Sequence, residues 1–196
     1  MTAEDSLATR SVMRDYPPAS AVRTLYSPEA IAARVKELGR QISADYAGGP
    51  LVLICVLKGS FMFAADLVRA ISLPVRIEFL GVQSYGSGTE STGAVQIIQD
   101  LTQPIENEDV LVVEDIVDTG LTIAYILSLL RARNTKSLRI CALLDKPSRR
   151  RVEAVADYVG FTVEDKFIVG YGLDHAQEYR NLPGLVRVAR DPAVIP

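Results

Sequence analysis

The densest group of reactive side chains in this sequence is a pair of adjacent carboxylates, Glu114 and Asp115, with a third carboxylate at Asp118. Four apolar residues, 110–113, precede the pair, and the small polar segment 119–122 follows Asp118. Carboxylates accept hydrogen bonds from hydroxyl groups or bind a metal ion. A glycine-containing polar segment at the start of a helix presents backbone N–H groups to an anion. The combination suits a sugar phosphate as ligand.

The elements around these residues predict where they lie. The apolar run before Glu114 is typical of a buried strand in a parallel sheet, and open α/β sheets bind ligands beyond the carboxyl ends of such strands. Residues 118–122 would open a helix whose apolar stripe is Ile123, Ile126, Leu127 and Leu130. Asp118 would then lie between the hydroxyl and phosphate subsites, where it could exchange a proton with an incoming base.

Acidic residues after an apolar strand also bind Mg²⁺ in phosphatases and receiver domains, so the strand end alone leaves a generic Mg²⁺ site open. The segment from Asp118 to Thr122 makes the pattern more specific. The sequence contains no GxxxxGK[ST] loop and no GxGxxG after a strand. Nucleoside triphosphates and dinucleotides are therefore disfavoured as ligands.

Composition indicates one globular domain. The chain has 196 residues, of which 48% are hydrophobic and 23% charged, with a net charge of −3. This balance disfavours a nucleic-acid partner. No apolar stretch approaches the roughly 20 residues that span a bilayer, and the acidic start at Glu4 and Asp5 does not resemble a secretory signal. We therefore expect a cytoplasmic protein without a membrane partner.

The two cysteines, Cys55 and Cys141, lie in apolar runs and are expected to be buried thiols in a reducing compartment. With one histidine, His175, and no CxxC pair, a zinc site of the usual Cys and His composition is disfavoured. His175 itself is expected to be a polar surface residue.

Strands and helices alternate along the chain, which predicts an α/β fold with a parallel central sheet flanked by helices. Residues 1–20 are predicted to be a loosely ordered arm, and residues 21–196 a single domain. Ser27-Pro28-Glu29 should start the first helix. Residues 75–79 predict a strand with one more polar face, and the glycine-rich segment 85–93 predicts a flexible lid.

The segment 110–122 resembles the phosphoribosyl-pyrophosphate motif of the type I phosphoribosyltransferases. Four further segments resemble the hypoxanthine-guanine branch of that family, in the same order along the chain. They are residues 56–60 (VLKGS), Ser84-Tyr85 with residues 91–93 (STG), residues 143–147 (LLDKP), and residues 165–174 (DKFIVGYGLD) with residues 178–180 (EYR). The resemblance covers about residues 22–190 and implies the type I phosphoribosyltransferase fold, with a small hood and a lid loop.

The resemblance also implies roles for single residues. Glu114 and Asp115 would bind the ribose hydroxyls, Asp118 would handle the proton on purine N7, and Thr119, Gly120, Leu121 and Thr122 would hold the 5-phosphate. Lys146 would donate to the 6-oxo group, Phe167 would stack on the base, and Ile168 would read the ring edge through its backbone. Lys58, Gly59 and Arg180 would bind pyrophosphate, and Ser84 and Tyr85 would head the lid. Mg²⁺ would be held at Glu114, Asp115 and Asp174.

The implied reaction is Mg²⁺-dependent purine salvage from phosphoribosyl pyrophosphate and a 6-oxopurine, hypoxanthine and also guanine, by a homodimer or homotetramer. A non-proline cis peptide is expected between Leu57 and Lys58. Each residue alone has a plainer interpretation: Lys146 as a solvated lysine, Phe167 as a core residue and Arg180 as a surface arginine. A ligand-sensing regulator of the same fold is a second hypothesis. The negative charge and the arm, too short for a winged helix, argue against it.

Overall fold

The computed structural model describes residues 22–47, 49–85 and 94–188. The predicted arm, residues 1–20, and residues 86–93 of the predicted lid, 85–93, lie outside the described residues.

A six-stranded sheet forms the centre of the molecule, in the order β4-β3-β2-β5-β6-β7. Its strands are parallel except for β4, which pairs antiparallel with β3 at one edge. The bounds are β2 Leu51–Leu57, β3 Val75–Tyr85, β4 Ala94–Gln99, β5 Asp109–Val117, β6 Ser137–Asp145 and β7 Tyr158–Thr162. The predicted parallel α/β architecture is confirmed.

Three helices flank this sheet in the described part of the chain: α1 Pro28–Asp45, α2 Phe61–Ala70 and α3 Leu121–Arg131. The predicted start of α1 is confirmed, because Ser27 Oγ accepts a hydrogen bond of 3.3 Å from the N–H of Ala30. A 3₁₀ turn, Pro147–Arg149, follows β6. No helix among the described residues is long and apolar enough to cross a membrane.

A second, three-stranded antiparallel sheet corresponds to the hood that the resemblance implied. Its order is β1-β9-β8, with β1 Val22–Tyr26, β8 Ile168–Val169 and β9 Leu185–Val188. Because β9 pairs with both β1 and β8, the hood joins the beginning of the described chain to its end.

The side chains of the central strands alternate between two apolar cores. On one face, Leu53 and Leu111 pack with α1 and α2, and on the other, Ile54 and Val112 pack with α3. Cys55 and Cys141 are buried in the first core as free thiols, as predicted. Burial on both faces explains why these strands read as continuous apolar runs.

In strand β3 a charged residue is buried and two apolar residues are exposed, which is the reverse of the usual arrangement in an alternating strand. Glu78 is only 3% exposed, whereas Ile77 and Phe79 are each 44% exposed. Glu78 accepts 2.9 Å hydrogen bonds from the backbone N–H and the hydroxyl of Thr102 and forms an ion pair with Arg76. The carboxylate is therefore buried with partners, while the apolar face of β3 is left open to solvent.

Candidate active site

The two carboxylates at the carboxyl end of β5 lie in different surroundings. Glu114 is 8% exposed, and its Oε2 is buried without a hydrogen-bond partner among the described residues. Burial raises the pKa of Glu114 well above its usual value, and the neighbouring Asp115 adds to the effect. Burial also raises the pKa of Asp115 to about 6, although its Oδ1 accepts a 2.7 Å hydrogen bond from the N–H of Ile116. Such a pair favours a ligand that brings hydroxyl donors or a cation.

The predicted phosphate loop, residues 118–122, connects β5 to the start of α3. Gly120 has a φ of 85°, in the left-handed region, and forms the N-cap of α3. Thr119 Oγ1 accepts a 3.4 Å hydrogen bond from the N–H of Leu121. A cavity of about 70 Å³ is lined by Glu114, Ile116, Val117, Asp118, Thr119, Gly120, Thr122 and Ile123. The loop thus brings the first turn of a helix and all the predicted phosphate ligands to one cavity wall, apart from Leu121.

The segment after β6 supports this loop from behind. Arg150 Nη1 donates a 2.8 Å hydrogen bond to the backbone carbonyl of Asp118, and the N–H of Arg151 donates one of 2.9 Å to the carbonyl of Thr119. A Cβ atom on Gly120 would lie 3.0 Å from Arg150 Cδ and from Ala154 Cβ. Glycine is therefore required both for the backbone conformation and for this close packing.

The loop after β2 approaches the acidic strand end closely. The peptide bond between Leu57 and Lys58 is cis, as expected from the resemblance. A Cβ atom on Gly59 would lie 1.5 Å from Oδ2 of Asp115, and one on Gly172 would lie 2.1 Å from the carbonyl oxygen of Gly59. Gly59 thus lets the loop after β2 approach Asp115, and Gly172 lets the segment after β8 approach that loop.

Arg180 and Asp174 lie on the same side of the site. Arg180 Nη2 forms a 2.8 Å ion pair with Asp174 Oδ1, and its Nη1 donates a 2.7 Å hydrogen bond to the carbonyl of Gly172. Lys58 Nζ donates to Gln177 Oε1 at 3.3 Å, and that oxygen also accepts from Arg180 at 3.2 Å. The predicted pyrophosphate residues Lys58, Gly59 and Arg180 are therefore brought together.

Lys146 lies at the end of β6 and is buried, in contrast to the solvated lysine of the plainer interpretation. Its Nζ donates a 2.7 Å hydrogen bond to the carbonyl of Lys166, directly before Phe167. The ring of Phe167 meets His175 edge to face, with ring centres 5.3 Å apart. Ile168 follows as the first residue of β8. The residues predicted to bind the base, Lys146, Phe167 and Ile168, therefore lie close together.

Ser84 and Tyr85 end β3, where they pair with Val95 and Ala94 of β4, at the edge that leads into residues 86–93. Within the described ranges, no three His, Cys, Asp or Glu side chains are close enough to hold a metal ion by themselves. An ion at Glu114, Asp115 or Asp174 would therefore take further ligands from a substrate or from water.

Sequence reasoning missed three side chains of this site. Arg149 and Arg150, which belong to the basic run 149–151 and received no role from the sequence, contact Asp118. His175 packs against Phe167 instead of being a plain surface residue. A run of arginines directly after a strand end is the signal that could have identified the first two, since arginine commonly pairs with carboxylates and phosphates.

Comparison with known proteins identifies the family. The sequence model described as "Phosphoribosyl transferase domain" matches residues 21–176. The chain is 50% identical over 164 residues to the hypoxanthine phosphoribosyltransferase of Salmonella typhimurium, covering 82% of this chain and 92% of that one. It is 52% identical over 159 residues to the hypoxanthine-guanine phosphoribosyltransferase of Staphylococcus aureus, covering 81% and 89%.

Solved structures agree. A hypoxanthine phosphoribosyltransferase from Staphylococcus aureus superposes with a TM-score of 0.82 at 50% identity, covering 85% of this chain and 91% of that one. The hypoxanthine phosphoribosyl transferase of Trypanosoma cruzi gives a TM-score of 0.82 at 44% identity, covering 90% and 94%. These relatives are enzymes matched over most of their length, which disfavours the regulator hypothesis. The chain belongs to the phosphoribosyltransferase family, in its hypoxanthine phosphoribosyltransferase branch.

Proposed function

We propose that this protein transfers the 5-phosphoribosyl group from phosphoribosyl pyrophosphate to hypoxanthine and to guanine, giving IMP or GMP and pyrophosphate. The observation that carries the proposal is the buried Oε2 of Glu114, which has no hydrogen-bond partner among the described residues and lies beside Asp115, in the same cavity as the loop 118–122. A ribose 5-phosphate supplies hydroxyl donors for the carboxylates and phosphate oxygens for the loop 118–122. No other ligand considered from the sequence matches both.

The sugar phosphate would be held by both halves of the segment that joins β5 to α3. Glu114 and Asp115 accept hydrogen bonds from the ribose hydroxyls. Thr119, Gly120, Leu121 and Thr122 hold the 5-phosphate with backbone N–H groups and hydroxyls at the positive end of α3. Lys58, Gly59 and Arg180 hold the pyrophosphate, and the guanidinium of Arg180 offers a planar fork to its oxygens. Ser84 and Tyr85 head the lid that would exclude water.

The base would lie between Phe167 and the end of β6. Lys146 donates to the 6-oxo oxygen, and adenine, which has an amino group there, is disfavoured because two donors would oppose each other. Phe167 stacks on the ring and the backbone at Ile168 reads its edge. As N9 bonds to the ribose carbon, that carbon's bond to oxygen breaks, pyrophosphate keeps the electron pair, and Asp118 takes the proton from N7.

Mg²⁺ fits the acidic side of this site, because the buried Glu114 Oε2 has no hydrogen-bond partner among the described residues. Glu114, Asp115 and Asp174 would hold it together with substrate oxygens. When bound, the ion neutralises charge on the leaving pyrophosphate. Asp174 is pre-oriented by hydrogen bonding, since its Oδ2 accepts a 2.8 Å bond from the N–H of Gln177.

A competition assay tests the reaction and the base preference together. The protein is incubated with phosphoribosyl pyrophosphate and Mg²⁺ and with hypoxanthine, guanine, xanthine or adenine, and nucleotide formation is measured. Turnover with hypoxanthine and guanine and negligible turnover with adenine is expected. Folded protein that turns over neither hypoxanthine nor guanine would disprove the proposal.

Asp118→Asn tests the proton step. General acid–base catalysis contributes roughly 10²- to 10⁴-fold to a rate, so kcat should fall by about that factor. The Kd for phosphoribosyl pyrophosphate should stay close to wild type, because the phosphate loop keeps its backbone. Near-normal kcat would refute the role of Asp118.

We also propose that the protein is a homo-oligomer, with a second copy covering the open face of β3 and β4. Ile77 and Phe79 on β3 and Ile98 on β4 are 44%, 44% and 61% exposed. Ile98 lies on the same face, since a Cβ atom on Gly81 would meet its Cγ1 at 3.1 Å. Contiguous apolar surface of this kind marks an interaction site. An isologous contact lets one such face cover itself, and the oligomeric state of the Trypanosoma cruzi relative is the subject of its structural study.

Light scattering after gel filtration tests this interface. Wild type should elute as a dimer or tetramer, and Phe79→Asp should dissociate at least one level of assembly. Val155→Asp is the matched control, because Val155 is an equally apolar and more exposed side chain outside this face. A monomeric wild type, or the same assembly for both variants, would disprove the interface.

We also propose that residues 21–196 act as one phosphoribosyltransferase domain, with residues 1–20 as an arm. A cytoplasmic location is supported by the two cysteines, which are buried and free.

A further inference from the structure

The 3₁₀ turn after β6 carries a charged side chain that the mechanism above does not use. Arg149 ends this turn, and its guanidinium lies between two carboxylates. Its Nε is 3.0 Å from Oδ1 of Asp118, and its Nη1 is 3.3 Å from Oδ2 of Asp165. The side chain of Arg149 is 31% exposed, so this bridge is partly shielded from solvent.

The contact of Arg149 with Asp118 is an ion pair on one oxygen of the carboxylate. Nε of Arg149 lies 3.0 Å from Oδ1 of Asp118, which is buried, whereas the Asp118 side chain as a whole is 37% exposed. The exposure of this side chain therefore comes from its other atoms, and the guanidinium holds the carboxylate from its enclosed side. A proton acceptor in catalysis needs such a fixed place.

The second partner of Arg149 links it to the base pocket. Oδ1 of Asp165 lies 3.9 Å from Nζ of Lys146, the proposed donor to the 6-oxo group. Charges of alternating sign thus run from Asp118 through Arg149 and Asp165 to Lys146. Since each charge attracts its neighbours, the four side chains hold one another in place between the ribose side and the base side of the site.

We propose that Arg149 is a positioning residue for the reaction: it fixes the carboxylate of Asp118 beside the purine, and Asp165 anchors it there. The inference rests on the proposed function, in which Asp118 accepts a proton. In the described part of the chain, two other charged residues lie next to Asp118. Glu114 lines the same cavity, and Arg150 donates to the backbone carbonyl of Asp118 and not to its carboxylate.

Arg149→Ala tests the proposal through kcat and through the KM values for phosphoribosyl pyrophosphate and for the purine. We expect kcat to fall by about tenfold, with the KM for phosphoribosyl pyrophosphate nearly unchanged. Arg149→Lys should restore only part of kcat, since an ammonium keeps the charge but not the fork.

Arg151→Ala is the matched control. Arg151 is an exposed neighbour whose bond to Thr119 uses the backbone N–H, which alanine keeps. Its kcat and KM values should equal those of wild type. Asp165→Asn provides a second variant that keeps Arg149 and weakens its anchor. It should lower kcat by a smaller factor than Arg149→Ala, with a nearly unchanged KM for phosphoribosyl pyrophosphate and a thermal midpoint within a few degrees of wild type.

The possible failures are distinguishable. If Arg149→Ala has the kcat of the Arg151→Ala control while wild type converts hypoxanthine, the positioning role is wrong and the proposed function stands. If only the KM for phosphoribosyl pyrophosphate rises, Arg149 contacts a substrate phosphate and the inference is overturned. If Arg149→Ala does not fold, an unchanged kcat in Asp165→Asn overturns it. Wild type without hypoxanthine turnover overturns both proposals.

Discussion

The two ends of strand β5 carry carboxylates in opposite situations. At the amino end, Asp109 accepts 2.6 Å hydrogen bonds from Lys136 Nζ and Ser137 Oγ, which lower its pKa, the lysine contributing most. At the carboxyl end, Glu114 and Asp115 lack a cationic partner at ion-pair distance among the described residues, and burial raises both pKa values. One strand of 9 residues thus holds a carboxylate with a cationic partner and a buried pair without one at ion-pair distance among the described residues.

Under the proposed function, this difference separates carboxylates that stabilise the fold from carboxylates that bind a ligand. A second carboxylate near the amino end also has partners: Asp45 accepts from Tyr158 Oη at 2.8 Å and from Arg139 at 3.3 Å. A buried acid without partners costs folding free energy. A ligand that brings a cation or hydrogen-bond donors would offset that cost. Strained or unsatisfied groups of this kind concentrate at functional sites.

The largest effect should come from removing charge at the carboxyl end. Asp115→Asn keeps the shape of the side chain and its acceptor for the N–H of Ile116, but it weakens the grip on ribose and on Mg²⁺. We expect kcat/KM for phosphoribosyl pyrophosphate to fall by at least about 100-fold, comparable to losing a preorganised electrostatic group. The thermal midpoint should stay equal or rise. Steady-state kinetics and calorimetry check both.

Asp109→Asn is the matched control for this experiment, because it removes one carboxylate from the other end of the same strand. Its kcat/KM should remain within about twofold of wild type, since Asp109 lies far from the ligand side of the sheet. Comparable losses of activity in the two variants would erase the distinction between the two ends.

The sequence was sufficient to predict structure where the residues that form an element are consecutive in the chain. The apolar strand before Glu114, the phosphate loop and the start of α3 could be read directly, because strand, glycine and helix start are consecutive in sequence. Helix α1 was equally predictable from its Ser27 cap. The motif order added Lys146 and the cis bond before Lys58, which no periodicity signals.

Features that depend on distant partners could not be predicted. Strand β7 needs β6 beside it, and Gly160 within it allows the carbonyl of Leu143 to approach. The burial of Glu78 depends on Thr102, which is 24 residues away in sequence. Arg149 looked like part of a solvated basic run, since the sequence does not show that Asp118 and Asp165 converge on it.

The carboxylates at the two ends of β5 should also affect the pH dependence of stability differently. Because the folded pKa of Asp115 is raised to about 6 from 3.8, the folded state keeps a proton that the unfolded state has lost between these values. Stability should therefore fall as pH rises through this window. Without Mg²⁺ and substrate, Asp115→Asn should gain about 2 kcal/mol on wild type between about pH 4 and about pH 7. Urea denaturation at each pH measures the difference, and a constant gap would contradict the raised pKa.

The smallest effect, with the opposite sign, is expected at the amino end. Hydrogen bonds from Lys136 and Ser137 lower the folded pKa of Asp109, so its contribution to stability is present above the ordinary carboxyl pKa and is lost as pH falls through the folded value. Asp109→Asn should cost about 1 kcal/mol at neutral pH, the usual size for partly exposed ion pairs and hydrogen bonds. The cost should shrink in acid, where wild type loses the same charge. Urea denaturation of the two proteins at neutral and acidic pH measures this, and a cost that grows in acid would show that Asp109, like Asp115, is destabilised by its own charge.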